Sequence, residues 1–200
     1  MKNQFQYKEA PTPAPIRIEQ VWSEKPKGGL LKDAGYDVVE TTPVGLASDG
    51  CKYQVIKQAK VKTKYTTGTS LVIEKGSGIK ENEFIAFGKI AKKVTKIDTT
   101  SAVDKDTITL ESQFDATTIE VGDFLYQAKT TADGSTTVAE PIVKPLYIIS
   151  KSTHRPPNGN VGSPGDRDTP KRLINGANVG KETRNFGAEI EALLPSVHRV

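Results

Sequence analysis

In the middle of this chain one stretch of apolar and polar positions alternates instead of recurring every three to four residues. Ala59, Val61, Thr63 and Tyr65 interleave with Lys60, Lys62 and Lys64, the period-two signature of a strand with one buried and one solvated face. Further strands are predicted over residues 69–74, 83–88, 89–98, 106–111 and 123–130. Turn-prone Lys75-Gly76-Ser77-Gly78, Asp104-Lys105-Asp106 and Gly122-Asp123 punctuate them. Residues 144–150 read as a closing strand whose start Pro141 and Pro145 confine to a sheet edge. Short strands at this spacing predict a mainly β chain, built as a small antiparallel β-barrel or sandwich.

The pattern changes at both ends. Pro11, Pro13 and Pro15 fix φ ahead of Ile16, Ile18 and Val21, which predicts an extended N-terminal arm over residues 1–35. From Ser150 onward Pro, Gly, Asn and Ser crowd together, so residues 36–150 read as the β domain and 151–200 as an irregular extension. At its end Phe186, Ile190, Leu193 and Leu194 recur at helical spacing, with Asn185 as a cap and Pro195 as a stop. A helix of two to three turns is marginal alone and must pack on something, either its own domain or another chain. Trp22 poses the same choice in the arm. Ile16, Ile18, Trp22, Phe186, Ile190, Leu193 and Leu194 are therefore the candidate assembly contacts. Deleting 151–200 is expected to leave a folded β domain that no longer assembles.

Composition sharpens this picture. The chain holds 15 Ile, 16 Val and 21 Thr against 10 Leu, a bias towards pleated surfaces, and 17 of the threonines fall between Thr41 and Thr137. Only 36% of its 200 residues are hydrophobic, a lean core supply that suits ends stabilised by contact with a neighbouring surface. No run of eighteen apolar residues is present, and the first residues lack the apolar stretch of an export signal, so manufacture in a reducing cytoplasm and no membrane contact are expected. Net charge is +4, but residues 51–100 hold 11 basic and 4 acidic side chains, and 101–150 hold 3 and 8. Separate patches of opposite sign would orient neighbouring copies; the plainer reading is solvated strand faces.

Candidate chemistry is sparse. A single cysteine, Cys51, excludes an internal disulfide and reads as a small structural residue. His154 and His198 have no metal-ligand spacing. Asp104/Asp106 and Asp166/Asp168 lack the ligand series of a calcium loop and read as turn caps. The run from Gly176 to Lys181 is one residue short of a phosphate loop, and Gly76-Ser77-Gly78 lacks the third glycine of a dinucleotide fingerprint. Neither a catalytic site nor a cofactor is expected. Residues 79–86 and 119–126 do echo each other at an offset of 40: an apolar anchor, a polar turn ending in an acid, then an apolar strand start.

Thr107-Ile108-Thr109-Leu110, Ile119-Glu120-Val121-Gly122-Asp123, Phe124-Leu125-Tyr126-Gln127-Ala128 and the similar Glu83-Phe84-Ile85-Ala86 resemble segments of structural proteins of tailed bacteriophages. More narrowly, they resemble capsid auxiliary (decoration) or head-fibre proteins such as those of crAss-like phages. The resemblance implies a non-enzymatic virion protein on the capsid surface, partnered by the major capsid protein and by itself, with a trimer as one form. It transfers no individual residue. The alternative is a carbohydrate- or nucleic-acid-binding β module using the basic face of residues 52–96, with Lys60, Lys62 and Lys64 on the phosphates and Tyr53 and Tyr65 on the bases. Nucleic acid is the less expected partner, because no aromatic cluster adjoins the lysines.

Overall fold

The computed structural model describes residues 18–115, 117–150, 169–179, 185–194 and 196–199. Its elements are β1 (Ile18–Glu24), β2 (Gly29–Leu31), β3 (Pro43–Leu46), β4 (Tyr53–Val55), β5 (Gln58–Lys60), β6 (Ser70–Glu74), β7 (Phe84–Phe87) and β8 (Ile90–Asp98). They continue with β9 (Lys105–Leu110), β10 (Phe124–Ala128), β11 (Ala132–Asp133), β12 (Tyr147–Ile149), β13 (Thr169–Lys171), β14 (Leu173–Val179), α1 (Ala188–Glu191) and β15 (Val197–Arg199). The protein is mainly β, as the alternating pattern predicts, and its strands form two curled sheets.

One sheet runs β5-β10-β7-β8-β9-β6. It closes on itself where Val61 bridges Ile73 and the Lys62 N–H donates to the Val72 carbonyl. Closure leaves no exposed ladder at the seam. Inward-facing Ala59, Val61, Leu71, Ile73, Ile85, Val94, Ile108, Leu110 and Leu125 fill the middle. Tyr65 packs edge-on against Phe114 at 6.0 Å between ring centres. Its hydroxyl donates to the Gly68 carbonyl and accepts the Phe114 N–H, so the ring is buried without stranding its polar end.

The sequence echo is a structural repeat within this barrel. Asn82 and Gly122 occupy the same position in their copies, both at positive φ, 67° and 93°. In each turn the following acid accepts a backbone N–H three residues back: Lys80 N–H to Glu83 and Glu120 N–H to Asp123, both at 2.9 Å. The strands that follow, β7 and β10, are antiparallel neighbours with Tyr126 opposite Ala86.

The other sheet curls more tightly. β2, β4, β3, β12 and the β13–β14 strand neighbour one another in turn, and β13 returns to β2. Only Arg172 separates β13 from β14, and its carbonyl accepts the Ser150 N–H, which completes the ring. Leu31, Val38, Val44, Tyr53, Val55, Ile149 and Leu173 pack together there. Beyond the ring, β14 continues between β1, antiparallel, and β15, parallel. Asn175 is an extra residue between the Ile174–Glu24 and Gly176–Ser23 pairs. This bulge turns the strand over, so Leu173 serves the first core while Ala177 and Val179 serve the next one.

A third core joins the two bodies. Ile56, Ile148, Ile174, Ala177 and Val179 meet Ala86, Ala91, Tyr126 and Ala128 from the outside of the β5–β10 barrel. Phe186, Ile190, Leu194 and Val197 fill the space between. β10 is consequently buried on both faces.

Several expectations change here. Residues 169–179, placed by composition in an irregular extension, are strands that complete a sheet. Deleting 151–200 would remove the middle strand between β1 and β12, so that truncation is no longer expected to leave the fold intact. β12 is an interior strand between β14 and β3; it begins at Tyr147, beyond both prolines, so neither has to donate to its ladder. The short helix lies where its spacing predicts, but it is a single turn of four residues instead of two to three turns, and its N-cap is Gly187 with no side-chain cap.

Candidate interaction surface

The seven candidate contacts do not share one surface. Phe186, Ile190 and Leu194 are 1%, 0% and 2% exposed inside the joint between the two bodies. They are spent on the chain's own core and are not available as assembly contacts, a correction that follows from β14 and β15 bringing the C-terminus back over β10. Leu193 is 42% exposed on the same segment. Ile18 is half-buried and packs against the joint core. Trp22 lies on β1 with its side chain outside the described residues, and Ile16 lies outside them altogether.

Asn185 has a different task from the capping predicted for it. Its N–H donates to the Thr41 hydroxyl at 3.0 Å and its side-chain amide to the Thr42 hydroxyl at 2.9 Å. The Thr42 hydroxyl in turn donates to the Val39 carbonyl. Thr41 is fully buried at φ 70°, a left-handed conformation that a β-branched residue adopts only when its surroundings enforce it. Thr41, Thr42 and Asn185 thus latch the C-terminal segment to the loop before β3. Sequence reading passed over the two threonines, since nothing local distinguishes them among 21.

A second joint lies beside β4 and β5. The Tyr36 ring covers Gly78, where an added Cβ would come within 2.3 Å of it; Gly78 also sits at φ 71°. Nearby, the Lys57 ammonium donates to Glu83. Burial pulls Lys57 below its ordinary pKa against the opposing pull of Glu83. Burial, followed by the Glu83 charge, pushes the Tyr36 phenol well above the usual tyrosine range. The Tyr126 hydroxyl, which donates to the Gly88 and Ala139 carbonyls, is pushed up to about 12 by burial and then by Glu189. These are structural anchors between the loops and the barrel wall.

The basic stripe is neutralised from within. Lys60 pairs with Glu74 at 3.3 Å, Lys62 with Asp104 at 2.5 Å, Lys64 with Glu120 at 2.6 Å and Lys92 with Asp115 at 3.4 Å. Three of those acids come from residues 101–150, so the oppositely charged halves of the sequence interdigitate instead of forming separate patches. Tyr53 and Tyr65 are buried, and Tyr53 stacks edge-on with Tyr147 beneath Lys25. Neither ring is presented for a base.

Asp104 reaches out to Lys62, whereas Asp106 turns into the barrel at 3% exposure and accepts the Gly76 N–H. Its second oxygen has no hydrogen-bond partner among the described residues. Cys51 is exposed in a turn where Asp49 accepts the Cys51 and Lys52 N–H groups. His154, Asp166 and Asp168 lie outside the described residues, as does the His198 side chain. Among the described residues no group of three or more His, Cys, Asp or Glu could hold a metal ion, and no helix is long and apolar enough to cross a membrane.

What the fold does present is an edge. β1 bonds to β14 along one side, and no described strand lies against its other side. Gln20 and Glu24 are exposed on it, with Glu24 paired to Arg172. Sequence reading found the apolar residues of this segment but not the edge, because an edge is defined by which strands are missing beside it. Comparison with protein-family models, curated proteins and solved structures finds no match to this chain.

Proposed function

We propose that this protein is a non-enzymatic virion structural protein that attaches to a bacteriophage capsid as a decoration, auxiliary or head-fibre protein. The resemblance of its β segments gives the class. The single observation that best supports attachment is the outer edge of β1, which no strand among the described residues covers and which follows directly on the proline-rich residues 1–17 in the sequence. A strand edge with an attached arm is a general route for joining one β protein to another. The C-terminal segment has the separate task of stitching the two bodies together.

Attachment is tested with the full chain and a variant lacking residues 1–17, each supplied to capsids of the phage that encodes it. Incorporation of the full chain and loss of the truncated one, with both folded by circular dichroism, is the expected result. Absence of the full chain from particles overturns the assignment. The polyanion-binding alternative draws less support from the ion-paired lysines, and retention on heparin that falls steeply with salt and requires Lys60, Lys62 and Lys64 would restore it.

A further inference from the structure

We infer that Asn175 is a site of spontaneous covalent modification, its side-chain amide reacting with water to give aspartate and isoaspartate where β14 passes between the two bodies. The chemistry lies in the Asn175-Gly176 pair. The Gly176 nitrogen attacks Asn175 Cγ; a C–N bond forms, the Cγ–Nδ2 bond breaks, and the amide leaves as ammonia with the Gly176 proton. Water then opens the five-membered succinimide. Breaking the new bond leaves aspartate, whereas breaking the original peptide bond leaves isoaspartate, with the chain routed through Cγ. Glycine favours the attack because it has no Cβ beside the nitrogen and the widest choice of backbone angles.

The fold leaves this pair loosely held. Of the seven residues of β14, Asn175 alone has no ladder partner among the described residues. β1 pairs with Ile174 and next with Gly176, β12 pairs with Leu173 and Ile174, and pairing with β15 begins at Ala177. A bulge releases its extra residue from the regular extended ladder. The Asn175 Oδ1 accepts no hydrogen bond among the described residues, so no donor there anchors the amide, and the residue is only half-buried. The other described asparagines are poorer sites: Asn82 precedes Glu83, Asn178 donates its amide to Gln20 and precedes Val179, and Asn185 donates its amide to Thr42 and precedes Phe186. Conversion has a structural consequence. A carboxylate would place charge where the oxygen has no donor, and isoaspartate lengthens the backbone at the point where β14 turns from one core to the next.

The test holds the full chain, folded and in urea, in mildly alkaline buffer and follows the tryptic peptide 173–181 by mass spectrometry and isoaspartate detection. Conversion adds about 1 Da to that peptide. In the folded chain Asn175 is expected to convert before Asn82, Asn178 and Asn185, and Asn175→Gln, folded by circular dichroism, should abolish the mass gain in the peptide. Folded protein that keeps Asn175 intact while the urea sample converts overturns the proposal. So does earlier conversion of any of the other three, or a mass gain that persists in the Asn175→Gln peptide, which contains Asn178.

Discussion

Replacing Phe186 with alanine probes the joint on which the architecture depends. The ring is 1% exposed and belongs to the joint core together with Tyr126, Ala128, Ile174, Ile190 and Leu194, a core drawn from both bodies. Truncating a fully buried phenylalanine costs about 3–5 kcal/mol, the upper part applying where the site cannot collapse. Collapse is restricted here because β10 and β14 are held in separate hydrogen-bonded sheets. Against a total stability of about 5–15 kcal/mol this is a large fraction. For a chain of this size it lowers Tm by about 6–20 °C, at about 2–4 °C per kcal/mol. Urea denaturation of Phe186→Ala should show a lower midpoint at unchanged slope, and amide exchange in α1 and β15 should accelerate more than in β6 and β9, which the barrel holds independently. A loss below about 1 kcal/mol, or uniform acceleration throughout, would refute the claim that the C-terminal segment stitches the two bodies together.

Three further outcomes follow. Gly78→Ala and Gly76→Ala both place a side chain at positive φ, but only the first meets the Tyr36 ring, so Gly78→Ala should be the more destabilising by more than 1 kcal/mol in thermal melts, as overpacking costs about 1–3 kcal/mol. Asp106→Ala removes the partner of the Gly76 N–H and should cost about 1–3 kcal/mol, while Asp106→Asn, which can keep that bond and removes a charge with an unpartnered oxygen, should be at least as stable as wild type by urea midpoint. Asp133 accepts backbone N–H groups from Thr137 and Ser135, which lower its pKa from 3.8 to about 2. A carboxylate depressed in the folded state stabilises above its unfolded pKa and loses that contribution as pH falls through the folded value. The stability gap between wild type and Asp133→Ala should therefore be constant above pH 5 and close between about pH 4 and pH 2 in denaturation midpoints.

Much of the β5–β10 barrel was legible because its wall has one apolar and one polar face for most of its length. Residues 59–65 and 106–111 alternate visibly, residues 69–74 and 89–98 carry β-branched residues between turn signals, and the matching turns before β7 and β10 repeat at a fixed offset. β2, β3, β4 and β13 were not legible: three or four residues give no period to read, and they are strands only because distant partners complete a ring. β14 hid for another reason. Leu173-Ile174-Asn175-Gly176-Ala177-Asn178-Val179 breaks alternation at a bulge, and glycine with two asparagines makes it resemble a loop.

The amino-acid sequence by itself determined the β character, the turns and the apolar residues that had to be covered somewhere, since backbone preference and hydrophobicity belong to each residue. Tertiary structure decided what covers them. Phe186, Ile190 and Leu194 turn out to serve their own chain, Lys62, Lys64 and Lys92 meet acids from residues 101–150, and β1 has one side that no strand among the described residues covers. Each depends on the distance between groups far apart along the chain, which no local pattern carries.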